Sequence, residues 1–163
     1  MVSFFVDPKT NFLDRTTDRF IMRGKGSLQT MNTDFEKCRA LIVDDNDFVR
    51  HMLVKQLTMF GFEHIEQASE GFEAINKVTE FNPDIIICDI NMQPLDGFDF
   101  LSHLRRLGGE MQSIPVIFLT SHGSQDFVER AKGLDVDAYL LKPVLPQKLY
   151  AQICKVLKTK GEH

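Results

Sequence analysis

Residues 83–97 read PDIIICDINMQPLDG, and the first half of that stretch decides the architecture. From Ile85 to Cys88 every position is apolar, with no alternation between inward and outward side chains. Such a strand needs cover on both faces, which is the condition of a strand inside a parallel sheet flanked by helices. The same reading extends outward. ALIV (40–43), a weaker HIEQA (64–68), VIFL (116–119) and AYLL (138–141) are four more short strands, spaced widely enough for a helix between neighbours. Val49, Met52, Leu53, Leu57 and Phe60 recur at helical spacing up to Gly61, and Leu149, Ile153, Val156 and Leu157 stripe the last segment. Segments near 70–80, 97–107 and 124–132 complete a set of five helices. Five strand–helix units of this kind predict an α/β domain with a doubly wound, five-stranded parallel sheet.

Composition agrees with one domain of this type. The 163 residues are 43% hydrophobic and 26% charged, a globular balance that excludes a fibre, a coiled coil and wholesale disorder. Cys38, Cys88 and Cys154 are odd in number and share no ligand spacing, which reads as reduced thiols in a cytoplasmic protein. No apolar run reaches the ~18 residues of a membrane span. Residues 1–37 lack a sustained period and read as a flexible N-terminal tail ahead of a domain at 38–160. Within the first 30 residues five basic side chains face three acids, leaving −6 of the net −4 on the rest. A body of that sign repels phosphate backbones, so nucleic acid and membrane are not expected as partners.

In open α/β sheets ligands bind beyond the carboxyl ends of the strands. The residues that follow the apolar runs there form a set: Asp44 and Asp45, Asp89, Thr120 and Lys142. Taken singly, the aspartates and Thr120 could cap helices and Lys142 could lie in water. Taken together, clustered carboxylates repel unless a divalent cation or a lysine neutralises them. Hard oxygen ligands without His or Cys at ligand spacing point to Mg²⁺ and to a phosphate, with Lys142 and Thr120 facing phosphoryl oxygens.

The stretches LIVDDND (41–47), PDIIICDINMQPLDG (83–97), FLTS (118–121) and DAYLLKP (137–143) resemble the receiver domain of bacterial two-component response regulators, the CheY-like family, over about 39–158. The resemblance implies a flavodoxin-like strand order 2-1-3-4-5. It implies Asp89 as phospho-acceptor, and Asp44, Asp45, Asp89 and the Asn91 backbone carbonyl as Mg²⁺ ligands. It also implies Thr120 and Lys142 as the catalytic hydroxyl and lysine, with Thr120 and Tyr139 as the switch pair. One position departs from the pattern: the family usually has proline four residues after the acceptor, where Gln93 stands here and Pro94 follows. The implied donor is a sensor histidine kinase or a histidine phosphotransfer protein. The implied output is protein contact through the fourth helix, fifth strand and fifth helix, a phosphorylation-dependent homodimer included. The expectation is a single-domain regulator in the cytoplasm, a signalling domain and not an enzyme beyond its own phosphorylation and dephosphorylation.

Two other readings compete. Asp45-Asn46-Asp47-Phe48-Val49 superficially matches the DxDx[TV] motif of haloacid-dehalogenase-type phosphohydrolases, with Asp45 as nucleophile and Asp47 as acid/base. That family needs further acids after the lysine, and beyond Lys142 only Glu162 is acidic. A degenerate receiver acting as a scaffold would be expected to have lost an acid, the hydroxyl or the lysine, and none is missing. Of the five histidines none has metal or catalytic spacing, and His122 alone stands close enough to Thr120 to overhang the site.

Overall fold

The computed structural model describes residues 35–121, 130, 134 and 136–160, together with the backbone of 11–14, 19–24 and 27–29; side chains are described from 35 to 158 within those ranges. Three short strands, β1 (Asn11–Asp14), β2 (Arg19–Gly24) and β3 (Ser27–Gln29), pair antiparallel in the order β1-β2-β3. No element was expected in this segment. The alternation is too brief for a periodic signal, and the pairing of three- to six-residue strands is what gives them order.

The main sheet has five parallel strands: β4 (Arg39–Val43), β5 (His64–Ala68), β6 (Ile85–Asp89), β7 (Val116–Thr120) and β8 (Ala138–Leu141). Their order is β5-β4-β6-β7-β8, which is 2-1-3-4-5 when these five are counted alone. Helices α1 (Asp47–Met59), α2 (Gly71–Phe81) and α3 (Gly97–Arg106), a 3₁₀ turn at Met111–Ser113 and a C-terminal helix (Pro146–Lys160) complete the described elements. The helix expected at 124–132 and His122 lie outside the described residues, apart from Arg130.

Continuous apolar runs become a two-faced sheet because successive side chains point to opposite sides. Ala40, Ile42, Ile85, Ile87, Ile117 and Leu119 join Leu53, Leu57, Leu149 and Ile153 in one core layer under α1 and the C-terminal helix. Leu41, Val43, Ile86, Cys88, Val116 and Phe118 join Val78, Leu101 and Leu104 in the other, under α2 and α3. The α1 stripe is rotated from its expected position: Met52 is exposed and Val49 only half-buried, while Gln56 turns inward and donates Nε2–H to the Val144 carbonyl at 3.3 Å. Helical periodicity locates a face to within a residue or so; the neighbour that covers it sets the final rotation. Gly61 ends the helix as expected, at φ +98°, where a side chain would be strained.

Phe35 lies ahead of the expected boundary at 37/38 and packs into the core. Its ring is 1% exposed, stacks on Phe62 at 4.6 Å and meets Tyr150 edge-on at 6.0 Å. The packed domain therefore includes Phe35, an aromatic that only a partner on the far C-terminal helix could reveal.

Candidate functional site

The chain order of the five strands places the site. From β4 the chain moves outward to β5, then crosses to β6 on the other side of β4, and the crevice between β4 and β6 is the switch point of the winding. Three hydrogen bonds bind the carboxyl ends of the strands into one rim: Asp44 N–H to Ala68 O (3.2 Å), Ile90 N–H to Leu119 O (3.1 Å) and Lys142 N–H to Thr120 O (2.8 Å). Asn46 caps α1, its Oδ1 accepting from the N–H groups of Phe48 (2.9 Å) and Val49 (3.3 Å), so the two aspartates ahead of it are free of capping duty. Behind Asp89 the chain turns tightly into α3. A side chain at Gly97 would meet the Asp89 carbonyl oxygen at 2.7 Å and the Phe118 ring at 3.0 Å.

On this rim Asp44, Asp45 and Asp89 each offer a carboxylate oxygen, all within 4.8 Å of one another. Asp44 and Asp89 are buried and Asp45 is exposed. Lys142 donates a hydrogen bond to Asp44 Oδ2 at 2.9 Å and ion-pairs with Asp89 Oδ1 at 3.1 Å. Asp44 Oδ1 in turn accepts the Asn46 N–H at 2.9 Å. Thr120 is buried at the end of β7 and Asn91 is exposed two residues past Asp89. Tyr139, on β8 opposite Phe118, is half-exposed.

Burial pushes the Asp89 carboxyl above its ordinary value, Lys142 pulls it the other way, and Asp44 adds to the rise. The same burial works against the Lys142 charge, but Asp44 and Asp89 outweigh it and hold the ammonium above its usual range. Lys142 is therefore a fixed cation between two acids and not a lysine lying in water. Fully buried Cys88, beside Asp89, has its thiol pushed well up by burial and then by that neighbouring charge, so it stays neutral. Three hard oxygen donors this close fit a small divalent cation, with Asp44, Asp45 and Asp89 to hold it. Asp47 is outside the trio, is exposed and is ion-paired with Arg50.

The structure also brings in residues that the sequence reading missed. Arg50 Nη1 donates to the Asp44 carbonyl at 2.7 Å, and Arg130 pairs with Asp96, the cap of α3, at 3.0 Å while lying 4.4 Å from the Phe98 ring centroid. The i,i+3 spacing of Asp47 and Arg50 is a usable signal for the first; nothing local marks the second.

A doubly wound sheet with an acidic trio and a lysine at its switch point defines a class of α/β signalling and phosphate-handling domains. The model of the response regulator receiver domain matches residues 40–154, and the chain belongs to that family. It is 36% identical over 133 residues to the transcriptional regulatory protein PrrA of Mycobacterium leprae, covering 80% of this chain and 54% of that one. To the probable transcriptional regulator ycf27 of Guillardia theta it is 37% identical over 131 residues, covering 78% and 49%. The chain thus spans about half the length of these curated relatives. The chemotaxis protein CheY4 of Vibrio cholerae superposes with a TM-score of 0.69 at 29% identity, covering 73% of this chain and 98% of that one. The fold is accordingly a CheY-like receiver, a signalling domain of two-component systems. No helix among the described residues is long and apolar enough to cross a membrane.

Proposed function

We propose that Asp89 accepts a phosphoryl group from a phosphohistidine donor, a sensor histidine kinase or a histidine phosphotransfer protein. A carboxylate oxygen of Asp89 attacks phosphorus, the P–N bond breaks and the imidazole nitrogen leaves with the electron pair. The observation that carries this reading is Lys142 bridging Asp44 and Asp89 beside a third carboxylate. Asp44, Asp45, Asp89 and the Asn91 carbonyl would hold Mg²⁺, which when bound offsets the charge of the incoming phosphoryl group. Lys142 pairs with a phosphoryl oxygen and the Thr120 hydroxyl donates to another. Output is a change in protein contact on the face of β8 and the C-terminal helix, a homodimer being one form of it. The body's acidity argues against nucleic acid as its own ligand, and a cytoplasmic location fits the donor chemistry.

Acetyl phosphate with Mg²⁺ should label the wild-type protein with an acid-stable, base-labile acyl phosphate. Asp89→Asn should abolish the label and EDTA should suppress it. Unchanged labelling of Asp89→Asn would overturn the assignment. Lys142→Ala should retain Mg²⁺ binding, because the lysine supplies no ligand, yet label poorly.

A further inference from the structure

We propose that Arg50 is a positioning residue that aims the acidic pair, an inference that rests on the reading of Asp44 and Asp45 as Mg²⁺ ligands. The Arg50 guanidinium reaches back from α1 and makes two contacts. Nη1 donates to the backbone carbonyl of Asp44 at 2.7 Å, and Nη2 ion-pairs with Asp47. Its side chain is only 14% exposed while that of Asp47 is 80% exposed, so the bond to the Asp44 carbonyl is the shielded one and the pair with Asp47 lies at the surface.

The choice of carbonyl matters. The Asp44 C=O belongs to the peptide that joins Asp44 to Asp45, and that peptide is a rigid plane containing both Cα atoms. Fixing the plane fixes the positions of both Cα atoms, the points from which the two carboxylate-bearing side chains leave. It also takes the plane's own freedom out of the loop, with ψ of Asp44 and φ of Asp45 left to set their directions. Two other contacts hold the Asp44 side of the loop: Asp44 N–H to Ala68 O, and Asn46 N–H to Asp44 Oδ1. Asp45 is exposed, and the shared peptide sets where its Cα stands. Arg50 supplies the side-chain hold on that peptide, and its pairing with Asp47 keeps the guanidinium in place. Partners that orient metal ligands in this way are commonly worth about 10- to 100-fold in metal affinity.

Charge alone makes the opposite forecast. Removing the guanidinium leaves Asp47 uncompensated close to the acidic trio, and an added negative charge attracts a divalent cation. Two variants separate the effects. Arg50→Ala removes both geometry and charge. Arg50→Lys keeps the charge, but an ammonium is a point donor without the planar fork that serves two acceptors at once.

The experiment is titration of wild type, Arg50→Ala and Arg50→Lys with Mg²⁺ by calorimetry, with a thermal melt of each and acetyl phosphate labelling across the same Mg²⁺ range. Both variants should bind Mg²⁺ about tenfold more weakly, while labelling at saturating Mg²⁺ returns to within about twofold of wild type. Tighter binding by Arg50→Ala, or Mg²⁺ affinity of Arg50→Lys within twofold of wild type, would overturn the proposal, as would a loss of saturated labelling without a change in affinity. If Arg50→Ala does not fold, Arg50→Lys decides. A wild-type protein that binds no Mg²⁺ would instead remove the underlying reading of the site.

Discussion

In the proposed role Asp89 carries two opposing demands, since an acceptor must be an anion yet this carboxyl sits almost wholly out of water. Burial raises its pKa more than Lys142 lowers it. The folded state therefore favours the neutral carboxyl more than the unfolded state does. The stability this lends is fully present below the unfolded pKa and is lost as pH rises through the raised folded one. Asp89→Asn removes the buried charge. In metal-free buffer at pH 7 the variant should melt above wild type, by roughly 2–4 °C for each kcal/mol gained in a chain of this size. The gap should narrow toward pH ~4, near the ordinary aspartate pKa, as the wild-type carboxyl takes up its proton. Thermal melts at the two pH values check this, and a variant melting below wild type at pH 7 would mean that the ion pair with Lys142 outweighs desolvation.

At the scale of elements, the C-terminal helix is held by an aromatic cluster that reaches back past β4. Tyr150 meets the Phe60 ring at 5.2 Å as well as that of Phe35, and Phe35 stacks on Phe62. Two truncations should therefore behave differently. A chain starting at Met31 retains Phe35 and should melt close to the full-length protein and label equally well. A chain starting at Cys38 loses that ring, and by analogy with buried Phe→Ala changes should lose about 3–5 kcal/mol. Phe35→Ala in the full chain tests the same contact in denaturant titration; a cost under 1 kcal/mol would show that the ring is not part of the core.

The whole molecule connects the site to its edge through β7 and β8. Phe118 and Thr120 lie on the same face of β7, and Tyr139 is the register partner of Phe118, so the half-exposed Tyr139 ring shares a sheet face with the Thr120 hydroxyl. A phosphoryl group brings about two negative charges and can draw that hydroxyl toward itself, opening space into which the ring can turn. A coupling of ~1–3 kcal/mol would change partner or dimer affinity by roughly 5- to 150-fold. Affinity with and without beryllofluoride, a phosphoryl mimic, measures this. Thr120→Ala and Tyr139→Ala should lose most of the response, and a full response in both would show that output takes another route.

Much of this was legible along the chain. The three inner strands were visible as short apolar runs because a strand covered on both faces has no room for polar side chains, whereas the edge strands β5 and β8 expose alternate positions and HIEQA gave a weaker signal. Asp44, Asp45, Asp89, Thr120 and Lys142 stand where strands end. Order along the chain cannot show which of these groups touch. Lys142 and Asp44 are 98 residues apart, and only the crossovers that place β4, β6 and β8 in one sheet bring the ammonium between two carboxylates. The same holds for Phe35, whose burial depends on Tyr150 in the last helix, and for the rotation of α1, which turns Gln56 inward and Met52 outward. Arg50 is the local case: its spacing from Asp47 suggests an ordinary helix-surface pair, and its bond to the Asp44 carbonyl six residues back forms when the first turn of α1 sets the side chain toward that loop. Local periodicity follows from backbone geometry and is written in neighbouring residues. Contacts between distant groups follow from how the layers close, and these are decided only in three dimensions.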